Sequence, residues 1–275
     1  MLRYIIFSII TLTLINCKNQ TTQVTNDNVT LQFSQDSLLR SYGEGCKLQD
    51  SLANNCLTIN NYFLTIRGNN EVLIKSVNDT LESYIKNSLI NIVDMEGDQT
   101  SRYKSLSIDS LCGLIADMHK SQVADYPDAA SNQWFIETYS DTTFHNPNIL
   151  SVQFTEATYL GGAHPNTFTN FLNFEKSTGK TLGFDDIIKD KTGFLKIAES
   201  AFRKNQELGI EDDLEEAGYF FEKGIFALPY NFTFNQDGIY LFFNPYEAGA
   251  YALGPIAFTI PYEEVKDVLD LSKVR

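Results

Sequence analysis

Residues 150–175, LSVQFTEATYLGGAHPNTFTNFLNFE, decide the fold class. Leu150, Val152 and Phe154 alternate with polar residues. Phe168, Leu172 and Phe174 do the same after the break, with Asn170 as a polar exception. A period of two is the signature of a half-buried strand. The run is therefore two strands, 150–159 and 167–175, joined through Gly161-Gly162-Ala163-His164-Pro165. A third strand-like run, 132–143, precedes them, and 57–67 has the Thr, Ile, Tyr and Phe content of a fourth.

Between these strands the period changes. Leu73, Val77, Leu81, Ile85, Leu89 and Ile92 recur every three or four residues, which predicts a long amphipathic helix over 71–93 ended by Gly97. The pattern repeats in Ile108, Leu111, Cys112, Ile115 and Met118, with Pro127 just beyond. Downstream, 192–206 reads as a helix, and the acidic patch 211–216 as the opening of another short one. Strands are expected at 230–234 and 239–243, with Gln236-Asp237-Gly238 as a hairpin signal. A last strand at 256–260 meets Pro261, where a helix can begin, with Val265, Val268 and Leu269 on its inner face. This order is that of an α+β fold with mixed or antiparallel sheets and packed helices, not a regular βαβ array.

The N-terminus reads as an export signal: Arg3, then an apolar run over 4–15, too short to span a bilayer as a helix. The run ends at Leu14-Ile15-Asn16-Cys17, which looks like a lipobox; cleavage before Cys17 would leave a lipidated cysteine as the membrane anchor. Residues 18–35 are polar and without period, and read as a flexible tether. Lys18-Asn19-Gln20 lacks the acidic run tied to surface export, so the expected location is the periplasmic face of the envelope. The 21 basic and 35 acidic residues give a net charge of −14, and removal of residues 1–16 takes away only Arg3. That balance disfavours nucleic acid and favours cationic partners. Cys46 and Cys56 flank a polar loop and are disulfide candidates in an oxidising compartment. Cys112 falls on an apolar helix face and is expected as a buried free thiol.

Two stretches carry a resemblance: Tyr159-Leu160-Gly161-Gly162-Ala163-His164-Pro165-Asn166-Thr167, and 237–249 with Asn244-Pro245-Tyr246-Glu247, running on to Gly254 and Ile260-Pro261-Tyr262. With Thr178-Gly179-Lys180 they resemble a bacterial envelope domain pair, found here as a Bacteroidetes-type lipoprotein. That pair forms the sensor of RsiV-type lysozyme-sensing anti-sigma factors and accompanies the catalytic domain of some peptidoglycan deacetylases. The N-terminal reading gives a signal peptide at 1–16 and a lipidated Cys17 with tether over 17–43; the resemblance implies a deacetylase-associated domain over 44–160 and an RsiV-like domain over 161–275. It implies a place and a partner class, cationic lysozyme-like hydrolases or cell-wall glycan, but no reaction.

The residues themselves specify no reaction either. His164 is the sharpest position, an imidazole on a glycine-bearing loop. Its plainer reading is a tight connection whose histidine bonds the local backbone. No Gly-x-Ser-x-Gly elbow accompanies it, the histidines at 119, 145 and 164 have no zinc spacing, and no metal or cofactor is expected. The leading reading is a non-catalytic ligand-binding lipoprotein with Gly161, Gly162, His164, Tyr246, Glu247 and Tyr251 in its site. The alternative is a cell-wall hydrolase or deacetylase-like enzyme with His164 as general base or metal ligand. A third is an assembly protein without a small ligand. The two signature stretches are expected to form one surface, with His164 and Tyr246 within about 15 Å, the span of one small-molecule pocket.

Overall fold

The computed structural model describes residues 24–26, 29–47 and 55–274. The signal sequence, Cys17 and the start of the tether lie outside the described residues.

The first sheet has six strands in sequence order: β1 (Val24–Asn26), β2 (Val29–Tyr42), β3 (Cys56–Gly68), β4 (Gln133–His145), β5 (Ile149–Tyr159) and β6 (Asn166–Glu175). Every neighbouring pair is antiparallel except β3 and β4. A parallel pair needs a crossover, and α1 (Glu71–Val93), α2 (Thr100–Lys104) and α3 (Ile108–Asp125) supply it. Asn70 starts α1 by accepting from Leu73 N at 3.0 Å, and Ser107 starts α3 by accepting from Ser110 N at 3.1 Å. The apolar stripe of α1 is buried along its whole length, from Leu73 to Ile92. Its first half packs on Leu64, Ile66, Val152 and Phe174, its second half on Leu57, Ile59 and Ile136 together with α3. Each such Leu or Ile side chain taken from water stabilises the fold by about 1.5–3 kcal/mol.

The second sheet is a three-stranded antiparallel meander, β7 (Asn231–Phe234), β8 (Gly238–Phe243) and β9 (Ile256–Pro261). The hairpin signal holds: Asn235 Oδ1 accepts from Asp237 N at 2.9 Å and Gly238 N at 2.8 Å, fixing the turn. Gly238 is required there, because a Cβ would stand 1.9 Å from Ile260 O. One-turn helices α4 (Phe184–Ile187) and α6 (Tyr262–Val265) and the longer α5 (Lys191–Asn205) pack around this sheet. Val265, Val268 and Leu269 are buried as expected.

The disulfide joins Cys46 to Cys56 with Cα atoms 4.8 Å apart, and Cys112 is a buried free thiol. Three expectations need correction. The stretch read as tether enters the sheet: β2 begins at Val29 and pairs with β3 from Leu31 to Tyr42. Val29, Leu31 and Phe33 alternate with polar residues there, a period of two masked by the Thr- and Gln-rich run before it, and Leu31 is buried in the core. The boundary expected after Leu160 falls inside the β5–β6 hairpin, and the first sheet continues to Glu175. The acidic patch 211–216 makes turns rather than a helix, its Asp213 Oδ1 accepting from Glu215 N and Glu216 N.

The two sheets meet at β6. The outer edge of a last strand presents unpaired N–H and C=O groups, and asparagine amides close them here. Asn244 accepts from Thr169 N at 2.7 Å and donates to Thr169 O at 2.9 Å, as a neighbouring strand would. Asn231 Oδ1 accepts from Phe171 N at 3.1 Å, and Asn173 Nδ2 donates to Phe232 O at 2.9 Å. Asn173 Oδ1 also receives Ser151 Oγ and Thr233 Oγ1. All of these side chains are buried, so the joint is a satisfied polar network.

Candidate functional site

Two loops meet at the end of this joint. The first is the β5–β6 connection. Gly161 has φ +85°, and a Cβ on it would lie 2.7 Å from Ser131 O. The glycine therefore closes the loop against the short 3-10 turn Ala130–Asn132 before β4. Gly162 is exposed with open space around its Cα. His164 follows, half-buried, its Nδ1 2.9 Å from Pro165 O. A carbonyl only accepts, so Nδ1 is the donor in this contact.

The second loop leaves β8. Glu247 N donates to Asn244 O at 3.0 Å, closing a four-residue turn with Pro245 second and Tyr246 third. Tyr246 has φ +68°. That is the third position of a type II turn, where glycine is the usual residue. The left-handed conformation costs a side-chain-bearing residue about 1 kcal/mol or more. The ring it displays is 55% exposed, so burial does not explain the strain.

Glu247 holds this turn rather than offering itself to a ligand. Its Oε2 accepts from Asn244 N at 2.7 Å and its Oε1 from Tyr230 N at 2.6 Å. Burial pushes its carboxyl up, and these two N–H donors pull it back down. With Asn244 pinned to Thr169, the turn is tied to both sheets.

The two loops touch. His164 lies flat on Tyr251, ring centroids 4.0 Å apart at 17°, and the Tyr246 hydroxyl stands 3.4 Å from His164 Nε2. Tyr246 and Tyr251 are 5.5 Å apart, and Tyr251 donates to Pro165 O at 3.0 Å. The expectation that the two stretches form one surface is met. Beside the rings a cavity of about 170 Å³ is lined by Glu156, Thr158, Asn166, Phe168, Tyr246 and Tyr251. A second hollow of about 530 Å³ adjoins it across Thr167, Pro245 and Tyr251, running to Gly254 and Pro255.

Glu156 is a site residue that the sequence reading missed. Burial pushes its carboxyl up, and Ser88 on α1 offsets part of that. It therefore keeps its proton to a higher pH than an ordinary Glu. A signal was available: after Leu150, Val152 and Phe154 the next inward position of β5 is 156, and an acid there is out of pattern. Thr158, Asn166 and Phe168 also escaped notice, since they become neighbours only through the pairing Thr158↔Asn166 and Glu156↔Phe168.

Chemically, the groove offers the stacked His164–Tyr251 pair, the exposed ring of Tyr246 and a set of short polar groups. The hydrogen-bond partners of His164 are the Pro165 carbonyl and the Tyr246 hydroxyl, and neither is the orienting carboxylate of a catalytic triad. The other histidines lie elsewhere: His119 is buried against Trp134 and Asn132 O, and His145 stacks on Phe33. Among the described residues no group of three or more His, Cys, Asp or Glu side chains could hold a metal ion. No described helix is long and apolar enough to cross a membrane.

Comparison with known proteins gives two matches, one within the first sheet and its helices and one over the second sheet. Residues 51–167 match the family described as "Deacetylase PdaC", and residues 185–263 match "Protein of unknown function (DUF3298)". A 124-residue stretch, 44% of this chain, is 31% identical to the peptidoglycan-N-acetylmuramic acid deacetylase PdaC of Bacillus subtilis. The chain spans 26% of that relative's length. Two crystal structures share the fold. A DUF3298 family member from Bacteroides fragilis has a TM-score of 0.62 at 22% identity, over 92% of this chain and 95% of its own. A DUF3298 family protein from Pseudomonas aeruginosa has a TM-score of 0.56 at 15% identity, over 88% and 96%. The chain is thus an α+β protein of two domains, the first similar to PdaC and the second to DUF3298.

Proposed function

We propose that this protein is a non-catalytic, lipid-anchored receptor of the bacterial envelope that holds a segment of cell-wall glycan in the groove of His164, Tyr246 and Tyr251. One observation carries the reading. Tyr246 is kept in a strained turn, its ring exposed and set beside the stacked His164–Tyr251 pair by contacts from a loop 82 positions earlier. Strain maintained at an exposed aromatic is a pointer to function. Flat rings take the apolar faces of sugars, while Asn166, Thr158 and the carboxyl of Glu156 offer hydrogen bonds at the hydroxyl edges. The similarity of the first domain to part of an enzyme named for peptidoglycan supports the substrate class. The lipobox at Cys17 supports the location, facing the periplasm.

Binding needs no chemistry from His164. Its Nε2 is engaged by Tyr246, and its role is to hold the Tyr246 and Tyr251 rings side by side, 5.5 Å apart and tilted by 34°. The test is a calorimetric titration of the protein with soluble peptidoglycan oligomers, and in parallel with lysozyme at low and moderate salt. Saturable oligomer binding that Tyr251→Ala removes is the expected result. Binding of lysozyme alone, weakened by salt, would move the ligand to a cationic hydrolase on the acidic surface. Turnover of the oligomer lost in His164→Ala would replace the receptor with an enzyme. For the anchor, Cys17→Ala should abolish lipid labelling and membrane fractionation; unchanged fractionation and mass would refute the lipobox.

A further inference from the structure

Away from the aromatic groove, the helix-covered face of the first sheet holds a cavity of about 290 Å³. Leu64, Leu81 and Ile85 form its buried wall, and Leu38, Phe63 and Ile108 are half-buried around it. Asn61 lines it as well and is 0% exposed. The Asn61 Oδ1 accepts from Thr138 Oγ1 at 2.8 Å, but its Nδ2 has no hydrogen-bond partner among the described residues.

A buried amide donor without an acceptor is a costly state that native proteins seldom keep without reason. The cause is visible in the topology. β3 pairs with β4 only as far as Tyr62↔Tyr139, and Leu64 N turns to Ser140 Oγ at 2.9 Å instead of to a strand partner. The two strands part just beyond Asn61, and the hollow opens beside α1 at that point. Its wall is mostly hydrocarbon, with Thr65, Asn78 and Glu82 as its other polar residues, and Asn61 contributes one buried donor without a partner among the described residues. The complement is an apolar body carrying one acceptor oxygen. Glu82, exposed on the α1 side of the cavity, and the net charge of −14 oppose an anionic head. Burying a carboxylate among these side chains would add its own desolvation cost. The acceptor is therefore a neutral carbonyl. The volume is at the lower end of small-molecule pockets.

We propose that this cavity is a second binding site, for a small neutral amphiphile such as an acyl ester. The Asn61 Nδ2 donates to its carbonyl oxygen, and its chain lies on Leu64, Leu81, Ile85 and Ile108. The site is independent of the glycan groove. The test uses the full chain and two probes of the same length, monooctanoylglycerol and 1-O-octylglycerol, which differ by the carbonyl. One saturable site is expected, with the ester bound about three- to tenfold more tightly than the ether, the range of one hydrogen bond. Asn61→Ala should remove that preference and leave the ether's affinity unchanged. Ile108→Trp, a change at a half-buried position, should weaken both probes tenfold or more without altering the melting temperature. Absence of saturation by either probe below about 1 mM overturns the proposal. So does equal weakening of both probes in Asn61→Ala, or a structure grown with the ester in which water alone meets Asn61. If Asn61→Ala does not fold, the ester–ether difference in the native protein and the weakening of both probes in Ile108→Trp decide.

Discussion

The two sheets bury their inner faces with different side chains. The first is covered by the long helix α1 with α3 beside it, and its core is mainly aliphatic: Leu73, Val77, Leu81, Ile85 and Leu89 against Leu57, Ile59, Leu64 and Ile66. The second is covered by short helices and loops, and its core is phenylalanine. Phe202 of α5 has Tyr219, Phe221, Phe226, Phe243 and Phe258 around it at centroid distances of 5.0–6.2 Å. A regular helix fills its footprint by repetition. Irregular segments such as 219–226 have no repeat, so each must bring a large rigid side chain to reach the centre. The segments that remain at the joint between the two cores, 161–167 and 244–254, are then free to carry the groove.

The sharpest way to break this comparison is Phe202→Ala. Truncation at the hub of the aromatic core should cost about 3–5 kcal/mol, the upper range for a buried ring. Leu89→Ala under α1 should cost about 2–5 kcal/mol, but with the second sheet keeping its protection against hydrogen exchange. Equal loss of protection in both sheets for both variants would show one cooperative core where two are described here.

Asn244→Ala probes the joint. It leaves Thr169 N and O without their partners in a buried edge, which should cost about 2–3 kcal/mol, measurable by urea unfolding. It should also loosen the Tyr246 turn and weaken groove binding. A loss under about 0.5 kcal/mol, the scale of a surface change, would mean that the amide ladder does not hold the sheets together.

The Glu156 carboxyl gives a smaller effect with a definite sign. Its folded pKa is raised by burial, so above the ordinary Glu value the folded state binds more protons than the unfolded state. Stability contributed by this group is present at low pH and is lost as pH rises toward the folded pKa. Glu156→Gln should remove that part of the decline and leave the variant at least as stable as the native protein at pH 7. A native-minus-variant difference that does not move with pH would contradict the burial of this carboxyl.

Much of the fold was legible because it is periodic. The stripe from Leu73 to Ile92 and the alternation in 150–175 gave α1, β5 and β6 almost to the residue. What escaped was held by pairing or by turns. Val29, Leu31 and Phe33 do alternate with polar residues, but three apolar positions inside a long polar run are a weak signal, and pairing with β3 makes the strand. Residues 211–216 carry helix-start acids, yet Asp212 and Asp213 spend them on turn N–H groups. In the site, the glycine-bearing loops stood out as breaks in pattern, and His164, Tyr246 and Tyr251 do come together. Glu247 was read as a ligand group, whereas it clamps backbone. Glu156 was passed over because a strand acid is usually solvated, and only the sheet register brings it beside Phe168.

The most direct measurement is a paired melting and titration of Tyr246→Gly. Glycine takes the φ of +68° without strain, so the variant should be as stable as the native protein or more stable by up to about 1 kcal/mol. Because the exposed ring is gone, affinity for peptidoglycan oligomers should fall by tenfold or more. Unchanged oligomer affinity in a folded Tyr246→Gly protein would contradict the account, for then the strained tyrosine serves no ligand.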